Sequence, residues 1–190
     1  MNAKIDLSCV QLETERLILR PFKESDAEDF YAYARVEGVG EMAGWRHHQS
    51  LEESRAVLRL FEEGKITLAL VFKETGKVIG SIGLETYDEQ AAGEAFAPLA
   101  CREIGFVLSK AFWGQGLMPE AVREILRFCF EDLHLDAVFC GHFTRNVQSA
   151  RVQEKCGFRE LTTTAYHTRM GTVEESVLSV LTKADWAKAD

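Results

Sequence analysis

The segment Phe112-Trp113-Gly114-Gln115-Gly116-Leu117-Met118 sets two glycines directly ahead of a run with helical period. Glycine lets backbone approach a ligand without Cβ obstruction, and the first amides of a helix have no partner inside it. Such a terminus can hold an anion, a diphosphate among them. Pro119 gives up an amide that an early helical position can spare. Gly-Gln-Gly also suits a plain strand-to-helix turn. A dinucleotide fingerprint would need glycine where Pro119 stands, and a nucleotide phosphate loop would need Gly-Lys followed by Ser or Thr; both are absent.

Other side chains could move protons or react. Glu103 alternates with Gly105 and Val107 on one face of an extended run, as a base or as a solvated carboxylate, and Glu174 and Glu175 are weaker alternatives. Ser149 could cap a short helix, and Asn146 could stabilise a turn. Cys156 has a nucleophile's chemistry, but no histidine stands at a diagnostic spacing to activate it. Trp45, His47 and His48 fall in an aperiodic loop, residues 38–49, that could line a substrate pocket or be simply solvated.

The elements that must position these residues follow from pattern. Residues 16–20 read as a strand stopped by Pro21, and Ser25 with Glu28 has capping-box spacing ahead of a helix. Ser50 with Glu53 opens a second helix that stops at Gly64. Residues 66–73 and 77–86 are β-rich runs around a glycine-containing hairpin turn. Residues 88–100 lack a pattern and read as a mobile connection over the sheet. A strand at 102–108, a helix at 118–133, a strand at 137–141 and a short helix at 149–155 follow, then strands at 160–167 and 175–183. The order is βααβββαβαββ, an α+β pattern without repeat or linker.

At 190 residues, with 46% hydrophobic and 27% charged residues, the chain suits one globular domain. Its 22 basic and 30 acidic side chains leave a net charge of -8, which argues against nucleic acid or an anionic membrane and favours a cationic or amine substrate. Five cysteines without a Cys-x-x-Cys pair are expected to be reduced thiols, several of them buried. With neither a basic, apolar leader nor a long apolar run, a cytoplasmic location is expected.

Taken together, these motifs resemble the GNAT superfamily of acyl-CoA N-acyltransferases. Residues 113–118 occupy its cofactor motif, Gln/Arg-x-x-Gly-x-Gly/Ala, with Trp113 and Met118 departing from the pattern. Leu12-Glu13-Thr14-Glu15-Arg16-Leu17 with Leu19-Arg20-Pro21, and Asn146 through Ser149 to Lys155-Cys156-Gly157-Phe158, resemble the branch of ribosomal-protein-alanine and small-amine N-acetyltransferases. The resemblance implies a single domain over residues 1–190 with its core about 12–183. It implies a mostly antiparallel, twisted, seven-stranded sheet, splayed between its fourth and fifth strands and flanked by about four helices.

By the same resemblance, acetyl-CoA is the cosubstrate and no metal is needed. Backbone groups of Phe106 and Leu108 would hold pantetheine, and an amide near Val107 would bind the thioester oxygen. The turn Trp113, Gly114, Gln115, Gly116, Leu117 and Met118 would take the diphosphate, with Lys155 a phosphate contact or only a cover for its helix end. Asn146 would bond the pantetheine arm. Ser149 would protonate the departing thiolate, since Gln153 stands where many members carry a tyrosine. Glu103 would deprotonate the amine, and Trp45, His47 and His48 would shape the acceptor site. The acceptor is expected to be a primary amine, either a protein N-terminus or a small molecule, attacking directly in a ternary complex. An acyl-CoA sensing module without turnover is the alternative.

Overall fold

Thr67–Phe72 is buried along nearly its whole length, as only a strand covered on both faces can be. In the computed structural model, which describes residues 1–188, it is the third strand of an eight-stranded sheet. The strands are β1 (Leu12–Glu13), β2 (Leu17–Pro21), β3 (Thr67–Phe72), β4 (Lys77–Glu85), β5 (Cys101–Leu108), β6 (Ala137–Phe143), β7 (Arg159–His167) and β8 (Val173–Thr182). They lie in the order β1-β2-β3-β4-β5-β6-β8-β7, antiparallel throughout except for the parallel pair β5–β6. The α+β class and mostly antiparallel sheet are as expected. The count is eight rather than seven, because β1 is two residues long and too short to show a period.

Among the described residues six α-helices surround the sheet where about four were expected: α1 (Ala27–Ala34), α2 (Leu51–Gly64), α3 (Glu89–Ala92), α4 (Leu117–Arg127), α5 (Val147–Lys155) and α6 (Lys183–Trp186). The two extra ones, α3 and α6, are four residues each. Ser50 caps α2 by accepting from the Glu53 amide, as its spacing predicts. Ser25 does not cap α1. Instead Asp26 accepts from the Lys23 amide and is clamped by both terminal nitrogens of Arg20 at 2.7 and 2.8 Å. Gly64 is the last residue of α2, and Lys65 takes the left-handed position after it at φ 55°. Residues 88–100 are no bare connection: Asp88 caps α3, and Tyr87 and Phe96 pack on Phe139. Among the described residues no helix is long and apolar enough to cross a membrane.

One face of the sheet carries α4. Its Leu117, Met118, Val122, Ile125 and Leu126 pack against Leu17, Leu70, Ile82, Leu84, Ile104 and Val138. At about 2 kcal/mol per buried side chain, this fixes the N-terminus of α4 firmly against β5. On the other face α1 and α2 cover Ala69, Val71 and Val78, and a separate cluster, Tyr87, Ala92, Cys101, Phe139 and Leu178, lies under α3. Parallel pairing of β5 with β6 ends after Cys101↔Ala137, Arg102↔Val138 and Glu103↔Phe139. Beyond it, residues 104–108 stay with β4 and residues 140–143 stay with β8. A wedge opens between them, with the approach to α4 after one jaw and α5 after the other.

Candidate active site

The β5 jaw presents backbone. Ser109 N donates to Ile79 O at 2.8 Å, which fixes the phase of the β4–β5 ladder. In an antiparallel pair the hydrogen-bonded residues alternate, so Glu103, Gly105 and Val107 spend their amides and carbonyls on β4. Ile104, Phe106 and Leu108 direct theirs to the opposite edge, into the wedge. Val107's own amide therefore pairs with Ser81, and the amides open to a ligand near that point are those of Phe106 and Leu108. The Leu108 carbonyl accepts from Trp113 Nε1 at 2.8 Å, so Trp113 ties the turn to the strand.

That turn is left-handed twice, at Gly114 (φ 75°) and Gly116 (φ 77°), which explains both glycines. A Cβ at Gly114 would meet nothing, so the space beside the turn is open. Gly116 opens α4 without a side-chain cap, and Leu117 and Met118 bury their side chains, leaving backbone to face outward. Arg16, just before β2, braces the turn: Nη1 donates to Gln115 O at 3.0 Å, and Nε and Nη2 reach Glu120 at 2.7 and 2.6 Å. Burial pushes the Glu120 carboxyl up, but Thr14 and Arg16 hold it below the usual range. Its charge, which would oppose an anion at this helix end, is thereby offset. These groups suit a diphosphate: free first-turn amides, open space and a matched acid.

The β6 jaw presents side chains from α5. Asn146, rather than Ser149, caps the helix: its Oδ1 accepts from Ser149 N at 3.2 Å while Nδ2 donates to Met42 O. Ser149 lies buried in the first turn, 3.4 Å from Gln153 Nε2. Lys155 is at the other end of α5, about 13 Å along a nine-residue helix. There it is exposed and its carbonyl accepts from Arg123. The next residue, Cys156, reaches the first turn of α4, with its sulfur 3.6 Å from the Pro119 carbonyl.

At the apex of the wedge stands Glu103, directly opposite Glu85 in the β4–β5 register. Three glycines leave room around the pair. A Cβ at Gly141 would lie 3.0 Å from Glu103 Oε1, one at Gly83 would lie 2.8 Å from Glu85 Oε1, and one at Gly105 would lie 3.6 Å from Glu85 Cγ. Burial, and then the Glu85 charge, push the Glu103 carboxyl up to about 7, against a stabilising hydrogen bond from the Gly141 backbone. Burial also raises Glu85, opposed by the charges of Arg169 and Arg102. Glu85 was not expected as a site residue. The 15-residue connection between β4 and β5 leaves no sequence signal for their register, so only the observed pairing sets residue 85 across from 103.

The fold and sequence of this chain are matched by known proteins. A profile of the acetyltransferase (GNAT) domain covers residues 16–159. The chain belongs to this family, and it is an acetyltransferase. It is 27% identical over 154 residues to the uncharacterized N-acetyltransferase YoaA of Bacillus subtilis, covering 78% of this chain and 82% of that protein. The ribosomal-protein-S5-alanine acetyltransferase of Vibrio fischeri has the same fold, with TM-score 0.70, 22% identity and coverage of 93% of this chain and 98% of that one. So does the microcin C7 self-immunity acetyltransferase MccE, solved with acetyl-CoA and AMP, at TM-score 0.72 and 14% identity over 89% and 93% of the two chains.

In this GNAT chain the loop ahead of α2 spans the wedge. Lys110, just past β5, donates to Glu37 O; Arg145, just past β6, donates to Glu41 O at 3.1 Å; and Arg169 N donates to Gly44 O. His47, half-exposed, sits in it with Nδ1 2.7 Å from Glu41 Oε1. Burial would raise the Glu41 carboxyl, but His47 and the backbone amides of His47 and Gly38 hold it down to about 2. His48 is no pocket residue. It is buried, bonded to Ser54 and edge-on to Phe30, and burial lowers its pKa. Trp45 packs on Gly40 and His48 within the same layer. Glu174 is engaged by Arg145 at 3.0 Å. Cys156 is buried with its thiol pushed up to about 11 by burial, the wrong state for a nucleophile at neutral pH.

Proposed function

We propose that the chain transfers the acetyl group of acetyl-CoA to a primary amine, a protein N-terminus or a small amine, by direct attack in a ternary complex. The observation that carries this reading is a carboxyl brought to about 7 at the closed end of a wedge whose edge offers unpaired backbone amides. When bound, coenzyme A supplies a thioester whose carbonyl carbon accepts the amine and whose sulfur departs. Phe106 and Leu108 hold the pantetheine arm and offer an amide to the thioester oxygen. The amides of residues 114–118 hold the diphosphate. Only a neutral amine attacks: at pH 7 an α-amine of pKa about 7.8 is roughly one-tenth neutral, a lysine about one in 2,500. Glu103 takes the ammonium proton before attack; as the C–N bond forms and the C–S bond breaks, Ser149 gives its hydroxyl proton to the departing sulfur and takes one from the attacking nitrogen, ending as it began. The acidic balance of the chain and the Glu85–Glu103 pair favour a cationic acceptor.

The test is thiol release from acetyl-CoA across peptide N-termini, amino acids, polyamines and aminoglycosides, with acetyl-CoA binding followed by calorimetry. Turnover with one class names the acceptor. Binding without turnover favours the sensing module, and absence of binding overturns the reading. Ser149→Ala is expected to lower kcat at least tenfold with acetyl-CoA affinity nearly unchanged; equal kcat removes Ser149 from the mechanism.

A further inference from the structure

Gln153 lies on α5 one turn after Ser149 and is buried. Its amide nitrogen is 3.2 Å from Gly141 O and 3.4 Å from Ser149 Oγ, and its Oε1 is 3.2 Å from His142 Nδ1. A carbonyl only accepts, so Gly141 fixes which end of the amide carries the hydrogens. His142 Nδ1, facing the amide oxygen, must then carry a proton. The second amide hydrogen is directed at Ser149 Oγ, which must accept it. An Oγ that accepts from Gln153 has its own hydrogen pointing elsewhere. Among the described residues that oxygen makes no other hydrogen bond.

We propose that Gln153, locked by Gly141 and His142, is a positioning residue that turns the Ser149 hydroxyl proton away from the helix and toward the departing sulfur. This rests on the role given to Ser149 above. An amide side chain does not ionise, so it keeps this orientation at every pH at which the protein is folded. A carboxylate of the same shape does the reverse. It accepts the Ser149 proton and draws it back toward α5.

The experiment compares Gln153→Glu, Gln153→Leu, Ser149→Ala and Ser149→Ala/Gln153→Leu in steady-state acetyl transfer from pH 5.5 to 9, with acetyl-CoA binding checked by calorimetry for each. For Gln153→Glu, kcat is expected to fall about tenfold at pH 8, with KM for acetyl-CoA within about twofold. Its kcat relative to the parent protein should recover toward acid, as protonation restores a donor. A purely packing role would not produce that pH-dependent ratio. Gln153→Leu should also lose about tenfold, and the double variant should be no slower than Ser149→Ala. If Ser149→Ala is impaired while both Gln153 variants keep parental kcat, the positioning role is overturned alone. A Gln153→Glu ratio flat across pH, or a double variant slower than Ser149→Ala by the full Gln153 effect, overturns it as well. If Ser149→Ala itself keeps parental kcat, the role of Ser149 fails first and takes this one with it.

Discussion

Glu103→Gln should make the protein at once slower and more stable, and the gain in stability should depend on pH. The Glu103 carboxyl titrates at about 7 in the fold against an ordinary 4.5, because burial and Glu85 disfavour its charge. A pKa raised by folding means that the folded state binds the proton more tightly. The stability so contributed is full below pH 4.5 and is lost as pH rises through about 7. At about 1.36 kcal/mol per unit, the loss across that window is at most about 3.4 kcal/mol, and water reaching the ionised carboxylate relieves part of it. Glutamine carries no such penalty. At pH 8 the variant should melt several degrees above the parent, taking about 2–4 °C per kcal/mol for a chain this size, and at pH 5 the two should nearly coincide. Without its base, kcat/KM should fall by about 10²–10⁴. The parent's log kcat/KM should bend near pH 7 when the acceptor amine titrates well above 9, and the variant's should not. Calorimetry at the two pH values and the pH-rate profile check both halves. Equal melting shifts at pH 5 and 8, or a parental profile without the bend, would refute the reasoning.

Three further outcomes follow from neighbouring contacts. Glu85→Gln removes the charge opposite Glu103 and should lower the bend in the pH-rate profile by roughly half to one unit, since that charge is the second cause of the shift, after burial; an unmoved bend would separate the two residues. Arg16→Ala should weaken acetyl-CoA binding about five- to tenfold, because it leaves the Glu120 charge uncompensated beside the turn, and Glu120→Gln in that background should restore much of the loss by calorimetry. Cys156→Ala should keep kcat within about threefold, and iodoacetamide should leave Cys156 of the native protein unlabelled, since its thiol is buried and stays protonated; covalent acetyl on that sulfur by mass spectrometry would contradict direct transfer.

The legible parts of this site were those where residue type and conformation coincide. Gly114 and Gly116 are glycine because their φ angles require it, so the turn could be read from two letters. The period of α4 was visible because five apolar side chains share one face. The misread parts were those where a residue type serves several ends. Ser25 and Ser149 have capping chemistry, but Asn146 caps α5, and α1 starts after Asp26 without a side-chain cap because that carboxylate is taken by Arg20 and the Lys23 amide, which no spacing rule shows. His48, read as pocket-lining or solvated, is neither, because sequence does not tell a half-exposed imidazole from one whose nitrogen is satisfied by Ser54 in the core.

The deepest part of the site was illegible for a different reason. Pantetheine contacts and the oxyanion site are assigned to backbone, and every residue carries the same backbone groups. What selects Phe106 and Leu108 over Val107 is parity, and one hydrogen bond, from Ser109 to Ile79, sets it. A slip of one residue in the β4–β5 pairing would turn Val107 toward the wedge, and Glu103 would no longer face Glu85. The register that exposes the amides is thus the one that brings the two carboxylates opposite each other. The glycines at 83 and 105 alternate with those carboxylates on the same face, leaving them room on that face. The proposed base and the amides on β5 are therefore one consequence of strand pairing. A substitution that shifts the register should abolish both together, whereas Glu103→Gln should remove only the base.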